Sequence, residues 1–182
     1  RQSLAASLET LASVILRRGD PDQAEPVAAE GVAIARDLAD RWVLVWNLAT
    51  MALVAIDQQD IQRAATLQSE ALEIAQELAD ACVIAHLVDG VACTAIVAGE
   101  MTQGSRLLGA ADALWHSPAL ATLPQWGNPR ETVRLDRTRD QARRALGDEA
   151  HAASVASGNR LSIDAALAEA QLLAADIRGA AR

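Results

Sequence analysis

The feature that most narrows what this chain can fold into is a repetition forty residues long. Leu38-Ala39-Asp40 recurs as Leu78-Ala79-Asp80. At the same offset Leu4 becomes Leu44, Leu8 becomes Leu48, Ala12 becomes Ala52, Ala24 becomes Ala64, Glu30 becomes Glu70 and Ile34-Ala35 becomes Ile74-Ala75. A second shift reaches Ile84, Val88, Ala92, Gly104 and Ala111. Self-similarity at a period of about 20–50 residues marks a solenoid: each unit has an apolar face it cannot bury alone, and stacked neighbours bury it together.

Within the repeat the apolar spacing is helical. In 41–58, Leu44, Leu48, Met51, Ala52 and Ala55 fall at i, i+4, i+7, i+8 and i+11; in 60–79, Ala64, Leu67, Ala71, Ile74 and Leu78 share one face. Each unit therefore reads as two helices joined by a tight turn. The predicted helices cover 2–18, 21–39, 41–58, 60–79, 81–98 and 101–116. Gly19-Asp20-Pro21 ends the first, Gln58-Gln59-Asp60 takes the matching place with Asp60 as N-cap, and Gly99-Glu100 makes the third turn. Pro26 is expected to loosen the second helix. The stretch 117–129, with Pro118, Pro124, Gly127 and Pro129, breaks the pattern. Beyond it 130–145, 149–157 and 163–177 read as more polar helices, with Gly158-Asn159 ending the second and Ser162 capping the third. Atypical polar helices are what the end of a solenoid requires. The expected fold is all-α, an α-solenoid of three helical hairpins at about 1–40, 41–80 and 81–117, then a Pro-containing loop at 118–129 and capping helices at 130–182.

The hairpins resemble the tetratricopeptide pattern, in which large-x-x-large-small-x-x-large on a first helix meets small residues on a second. The first helices read Leu8-x-x-Leu11-Ala12-x-x-Ile15, Leu48-x-x-Met51-Ala52-x-x-Ala55 and Val88-x-x-Val91-Ala92-x-x-Ala95. The second helices supply Ala24 with Gly31, Ala64 with Ala71, and Gly104 with Ala111. The period of 40 exceeds that family's, about 34, and the family's Trp, Tyr and Phe are missing, so longer helices are expected.

Composition closes several functional classes. The chain is 51% hydrophobic with four Trp and no Phe or Tyr, so Ala, Leu, Ile and Val must fill the core, which suits close-packed helices. All sixteen basic residues are Arg; with no Lys there is neither a P-loop lysine nor a Schiff-base lysine. The formal charge of −8 offers no basic stripe to displace counterions from nucleic acid, so no direct nucleic-acid contact is expected. Cys82 and Cys93 sit eleven residues apart in one predicted helix, about 16 Å along its axis, too far for a disulfide. Reduced thiols and the lack of a signal peptide fit the cytoplasm. Ala81–Ala98 is the most apolar run, but His86 and Asp89 interrupt it, and it reads as a buried helix rather than a membrane span. A chain starting at Arg1 rather than Met is expected to be a piece of something longer.

The sharpest local feature is a stripe on the first helix of each hairpin, away from the repeated core. In the second hairpin it is Trp42, Trp46, Ala49 and Leu53; forty residues on it is Cys82, His86, Asp89 and Cys93. Spacing i, i+4, i+7, i+11 keeps each set within about 60° of arc, roughly 150° from the core stripe. In tetratricopeptide arrays that face lines a concave groove for peptides or small ligands, and tryptophans there are natural anchors. The other reading packs Trp42 and Trp46 against a neighbouring hairpin or domain. Cys82 and His86 are metal-capable types one turn apart, but Cys93 lies beyond their reach and free Cys is commonly a core residue, so no metal site and no cofactor are expected. A buried Asp89 needs a partner, for which His86 at i−3 stands nearest, held as its imidazolium. His116 and His151 are isolated, and no Ser/His/Asp or Cys/His pair has a positioned base, so no catalysis is expected. Arg130, Arg134, Arg137, Arg139, Arg143 and Arg144, interleaved with Asp136 and Asp140, read as a salt-laced face. Trp126 is expected to plug the end of the core.

A wider resemblance covers roughly 8–173. Gly104-Ser105-Arg106-Leu107-Leu108-Gly109-Ala110-Ala111-Asp112-Ala113-Leu114-Trp115, a Pro-containing loop, an Arg-rich helix, Ala145-Leu146-Gly147, and Gly158-x-x-Leu161-Ser162 with Ala165-Ala166 resemble the C-terminal region of bacterial signalling ATPases and LuxR-type transcriptional regulators. The resemblance implies a non-catalytic helical-repeat module that binds a protein, a peptide or a small effector, or docks on the ATPase and DNA-binding domains of such a regulator. The alternative is an oligomerisation or autoinhibitory scaffold, for instance a homodimer.

Overall fold

The computed structural model describes residues 1–120 and 132–180. Among them are nine helices and no strand: α1 (Gln2–Arg17), α2 (Pro21–Asp37), α3 (Arg41–Asp57), α4 (Ile61–Leu78), α5 (Ala81–Ala98), α6 (Met101–Trp115), α7 (Thr132–Leu146), α8 (Asp148–Gly158) and α9 (Ile163–Gly179). Pro124, Trp126, Gly127, Pro129 and Arg130 lie outside the described residues.

The helices are punctuated every twenty residues by one device. Gly19, Ala39, Gln59, Ala79 and Gly99 all adopt positive φ, from 50° to 97°. An acidic residue follows each of them. The left-handed residue turns the chain back so that the following N–H reaches a carbonyl of the last helical turn, as Asp40 does to Ala35, Asp60 to Ala55 and Glu100 to Ala95. The carboxylates of Asp20, Asp40, Asp60 and Asp80 then accept from the first free N–H groups of the next helix, at Gln23, Val43, Arg63, and both Cys82 and Val83. Glu100 makes no such side-chain bond. This device explains why the first four helices end one or two residues short of the apolar periodicity. The left-handed residue, and often its predecessor, already belongs to the turn. α2 runs on through Pro26, which sits early enough to lose only one ladder bond.

Each hairpin packs on itself, and α1, α3 and α5 lie side by side, with α2 against α3 and α4 against α5. Ala12, Ala52 and Ala92 are at most 1% exposed, as are Ala24 and Ala64. Small side chains at these points let paired helices approach closely. Gly104 is the extreme case, since a Cβ there would overlap Ile96 of α5. The repeated units therefore form an all-α helical-repeat array, as their sequence requires. α5 is its centre. It is the one helix among the described residues long and apolar enough to cross a membrane, and two thirds of it is buried inside the fold.

The C-terminal helices all pack against the last hairpin. α8 crosses α6 at glycines on both sides: Gly109 lies on the Val155 backbone and Gly158 on the Arg106 carbonyl. Gly158 is the last residue of α8 and Asn159 its C-cap, so the helix ends where Gly158-Asn159 was expected to end it, and this crossing needs a residue with no side chain. α9 packs on α4, α5 and α6, burying Ala166, Leu167, Ala170, Leu173, Ala174 and Ile177. α7 lies against α5 and α6.

Candidate functional site

The stripe picked out by spacing divides in two. Its upper half begins at the first turn of α3, where Asp40 fixes the helix start. Trp42 is 53% exposed and stands edge-on to Trp46, ring centroids 5.9 Å apart and planes at 62°. Trp46 in turn meets His86 of α5 at 5.1 Å and 44°. Three rings thus run across the seam between the second and third hairpins. Trp46, Cys82 and His86 are all half-buried. Burial, and secondarily the Asp80 carboxylate, push the Cys82 thiol above its ordinary range, so the thiol is a poor nucleophile.

The lower half is covered. Leu53, Asp89 and Cys93 are at most 7% exposed, and Ala49 is 4% exposed. α7 lies over this region. The Thr138 hydroxyl approaches Cys93 Sγ at 3.5 Å and donates to the Arg134 carbonyl at 2.9 Å. Arg134 reaches down to Asp57 at the end of α3. Leu53, His86, Asp89, Gly90, Cys93, Arg134 and Leu135 line a small open pocket of about 20 Å³, room for one water.

The electrostatics of this wall differ from the expectation. Trp115 Nε1, not His86, donates to Asp89 Oδ2, at 2.7 Å. Asp89 and Trp115 are twenty-six residues apart and meet because α6 folds back along α5, which no helical periodicity reveals. His86 is correspondingly not held as an imidazolium. Its Nδ1 is sealed from solvent without a hydrogen-bond partner among the described residues, and burial pulls its pKa down to about 4. The ring is neutral at pH 7 and serves as a flat aromatic surface under Trp46.

Further buried polar atoms surround the seam. Trp46 Nε1, Asn47 Oδ1 and both amide atoms of Gln68 have no hydrogen-bond partner among the described residues. Asn47 Nδ2 donates to the carbonyls of Val43 and Ala5, tying the second hairpin to the first. Neither residue is among the site candidates expected from the sequence. The signal was present: Asn47 stands at i+3 from Leu44, and Gln68 lies between Ala64 and Ala71 on the core face.

Elsewhere, His151 is not isolated. Its Nδ1 lies 3.0 Å from Ser105 Oγ across forty-six residues of sequence. Ser105 is fully buried between α6 and α8, so this contact joins two helices and is closed to a substrate. Of the arginines expected to form a salt-laced face, Arg134 pairs with Asp57, Arg139 with Asp112 and Arg143 with Asp148. No group of three or more His, Cys, Asp or Glu side chains able to hold a metal occurs among the described residues.

No family model, no curated protein and no solved structure matches the chain.

Proposed function

We propose that this chain is a non-catalytic helical-repeat module for protein interaction or effector sensing, working within a larger transcriptional regulator or signalling ATPase of the kind its sequence resembles. One observation carries the reading: Trp42 is exposed on top of a ladder of rings whose lower members are locked in place. A large aromatic surface that is pre-ordered at its base loses little conformational freedom on binding, which is the property of an anchor. Trp42, Trp46, Cys82 and His86 form the binding face in this proposal. Leu53, Asp89 and Cys93 support it from beneath α7. The test is a display selection of peptides on the purified chain, with Trp42→Ala as the counter-target. Captured sequences should bind the variant at least tenfold more weakly; equal binding to both proteins would remove the ladder from the function.

A second reading, a scaffold without a ligand groove, draws support from α7, which lies on the lower wall where a groove would continue. Under that reading Trp42→Ala leaves every binding partner unaffected and changes only self-association or domain docking.

A further inference from the structure

α8 has no apolar face with which to hold its place. Its sequence sets alanines and serines beside Asp148, Glu149 and His151, and Gly158 is its one buried residue. It packs on α6 and on α7. Three contacts fasten it to α6. At the Gly158 end backbone meets backbone, because Gly109 and Gly158 carry no side chain. Beside that crossing Arg106 Nη1 donates to Ser157 Oγ at 2.7 Å, while its Nε binds Glu169 of α9. Nearer the start of α8, the half-buried His151 meets Ser105, which is 0% exposed.

The last contact is the one that responds to conditions. In the neutral ring, Nδ1 accepts from the Ser105 hydroxyl. A proton on Nδ1 removes that acceptor and leaves a buried hydroxyl to find another. It also places a positive charge near Arg139 and Arg143 of α7. Arg139 is paired with Asp112 of α6 at 2.7 Å, and Arg143 with Asp148 at the start of α8. Of the charges that reach the ring only Asp148 favours the imidazolium, and Arg143 already holds its carboxylate. Arg106, the charge of α6 under the other end of α8, is matched by Glu169. Burial first, then the two guanidiniums, keep the His151 pKa below its ordinary 6.5.

We propose that α8 is an acid-sensitive strap, which loosens from α6 when His151 takes a proton and leaves the array beneath it folded. Gly147 enters the helix at φ 81° without a side-chain cap, and residues 159–162 join it to α9. The docked helix favours the neutral ring. Its hold is therefore full above pH 6.5 and declines as pH falls below that value. Loosening bares Ser105 and Gly109 of α6.

The experiment is hydrogen exchange on the 182-residue chain at about pH 7.5 and about pH 5.5, corrected for intrinsic rates, with α5 as internal reference. Protection of α8 should fall at least about threefold more than that of α5. The reference removes the acid response of His86, which acts on the core as a whole. His151→Gln can still bond Ser105 and cannot take a proton, so its α8 should hold the same protection relative to α5 at both values. Histidine NMR of the parent is a second measurement that stands even where the variant is already loose at neutral pH. The His151 midpoint should coincide with the loss of α8 protection and lie below the midpoint in the urea-unfolded chain. The proposal is overturned if α8 keeps pace with α5, if His151→Gln loses protection as the parent does, or if the two midpoints differ. None of these outcomes touches the ring ladder.

Discussion

His86 titrates in the unfolded chain near its ordinary value of 6.5, and in the fold only near 4. Between those values the unfolded chain binds more protons, so stability is lost as pH falls from about 6.5 to about 4. The loss from this one residue approaches about 3 kcal/mol at the acid end. His86→Phe keeps an aromatic ring under Trp46 and cannot take a proton. Urea unfolding of parent and variant at pH 7 and pH 4.5 should therefore show the parent losing at least 1 kcal/mol more than the variant. Parallel losses would mean that the imidazole is not held neutral. Asp89 offers a companion measurement, because its carboxylate takes the Trp115 indole N–H inside the protein. Trp115→Phe removes that donor and leaves a buried acceptor short of one bond, which costs about 1–3 kcal/mol. A smaller change in urea midpoint would show that Asp89 depends little on the indole. Both residues were visible as candidates in the sequence, since helical spacing placed them on one stripe. Their partners were not visible, because the choice between His86 and Trp115 is made by how α6 returns along α5.

At the scale of elements, the turns govern this fold and they are imperfect. Ala39, Gln59 and Ala79 hold positive φ where glycine would be unstrained, and each such residue costs about 1 kcal/mol. Gln59→Gly and Ala79→Gly should relieve part of that strain, offset by the greater freedom of glycine in the unfolded chain. The pair together should raise the melting temperature by about 2–4 °C. An unchanged or lower value in calorimetry would place the strain elsewhere. The crossing of α6 and α8 fails in the opposite sense. A Cβ at Gly158 would overlap the Arg106 carbonyl, and backbone cannot move aside as a flexible side chain can. Gly158→Ala should destabilise by more than about 3 kcal/mol and detach α8, read as loss of the His151–Ser105 contact in the histidine NMR signals. The turns and the first six helices were legible in the sequence because each local signal recurs every twenty or forty residues and confirms the last. α7, α8 and α9 each occur once. Their existence could be read from caps and periodicity, but their positions rest on contacts with residues up to ninety-five places away, such as Gln171 with Gln76.

For the chain as a whole, a linear array in which α5 and α6 are covered by many neighbours and α1 by few is not uniformly stable. In a repeat protein each unit contributes its own stability and a term for each neighbour. α5 has neighbours on all sides and buries twelve residues. Among the described residues α1 packs mainly on α2 and α3, and it buries Ala5, Ala12 and Leu16. The ion pairs that link the first two hairpins, Arg36 with Glu70 and Arg63 with Glu25, are at least partly solvated and add little. Opening should therefore begin at α1 and α2 and leave the block built on α5 intact until global unfolding. Native-state hydrogen exchange should show amides of α5 and α6 protected to the full unfolding free energy, those of α3 and α4 nearly so, and those of α1 several kcal/mol less. The capping helices sharpen the prediction. α9 packs on α4, α5 and α6 at once, so its amides should exchange with the central block although it lies near the end of the sequence. If α9 instead frays with α1, then it is an appendage and the array is not closed by its C-terminal helices. A gradient running from α1 toward α5, with α9 grouped at the protected end, requires both the forty-residue stacking and the cap.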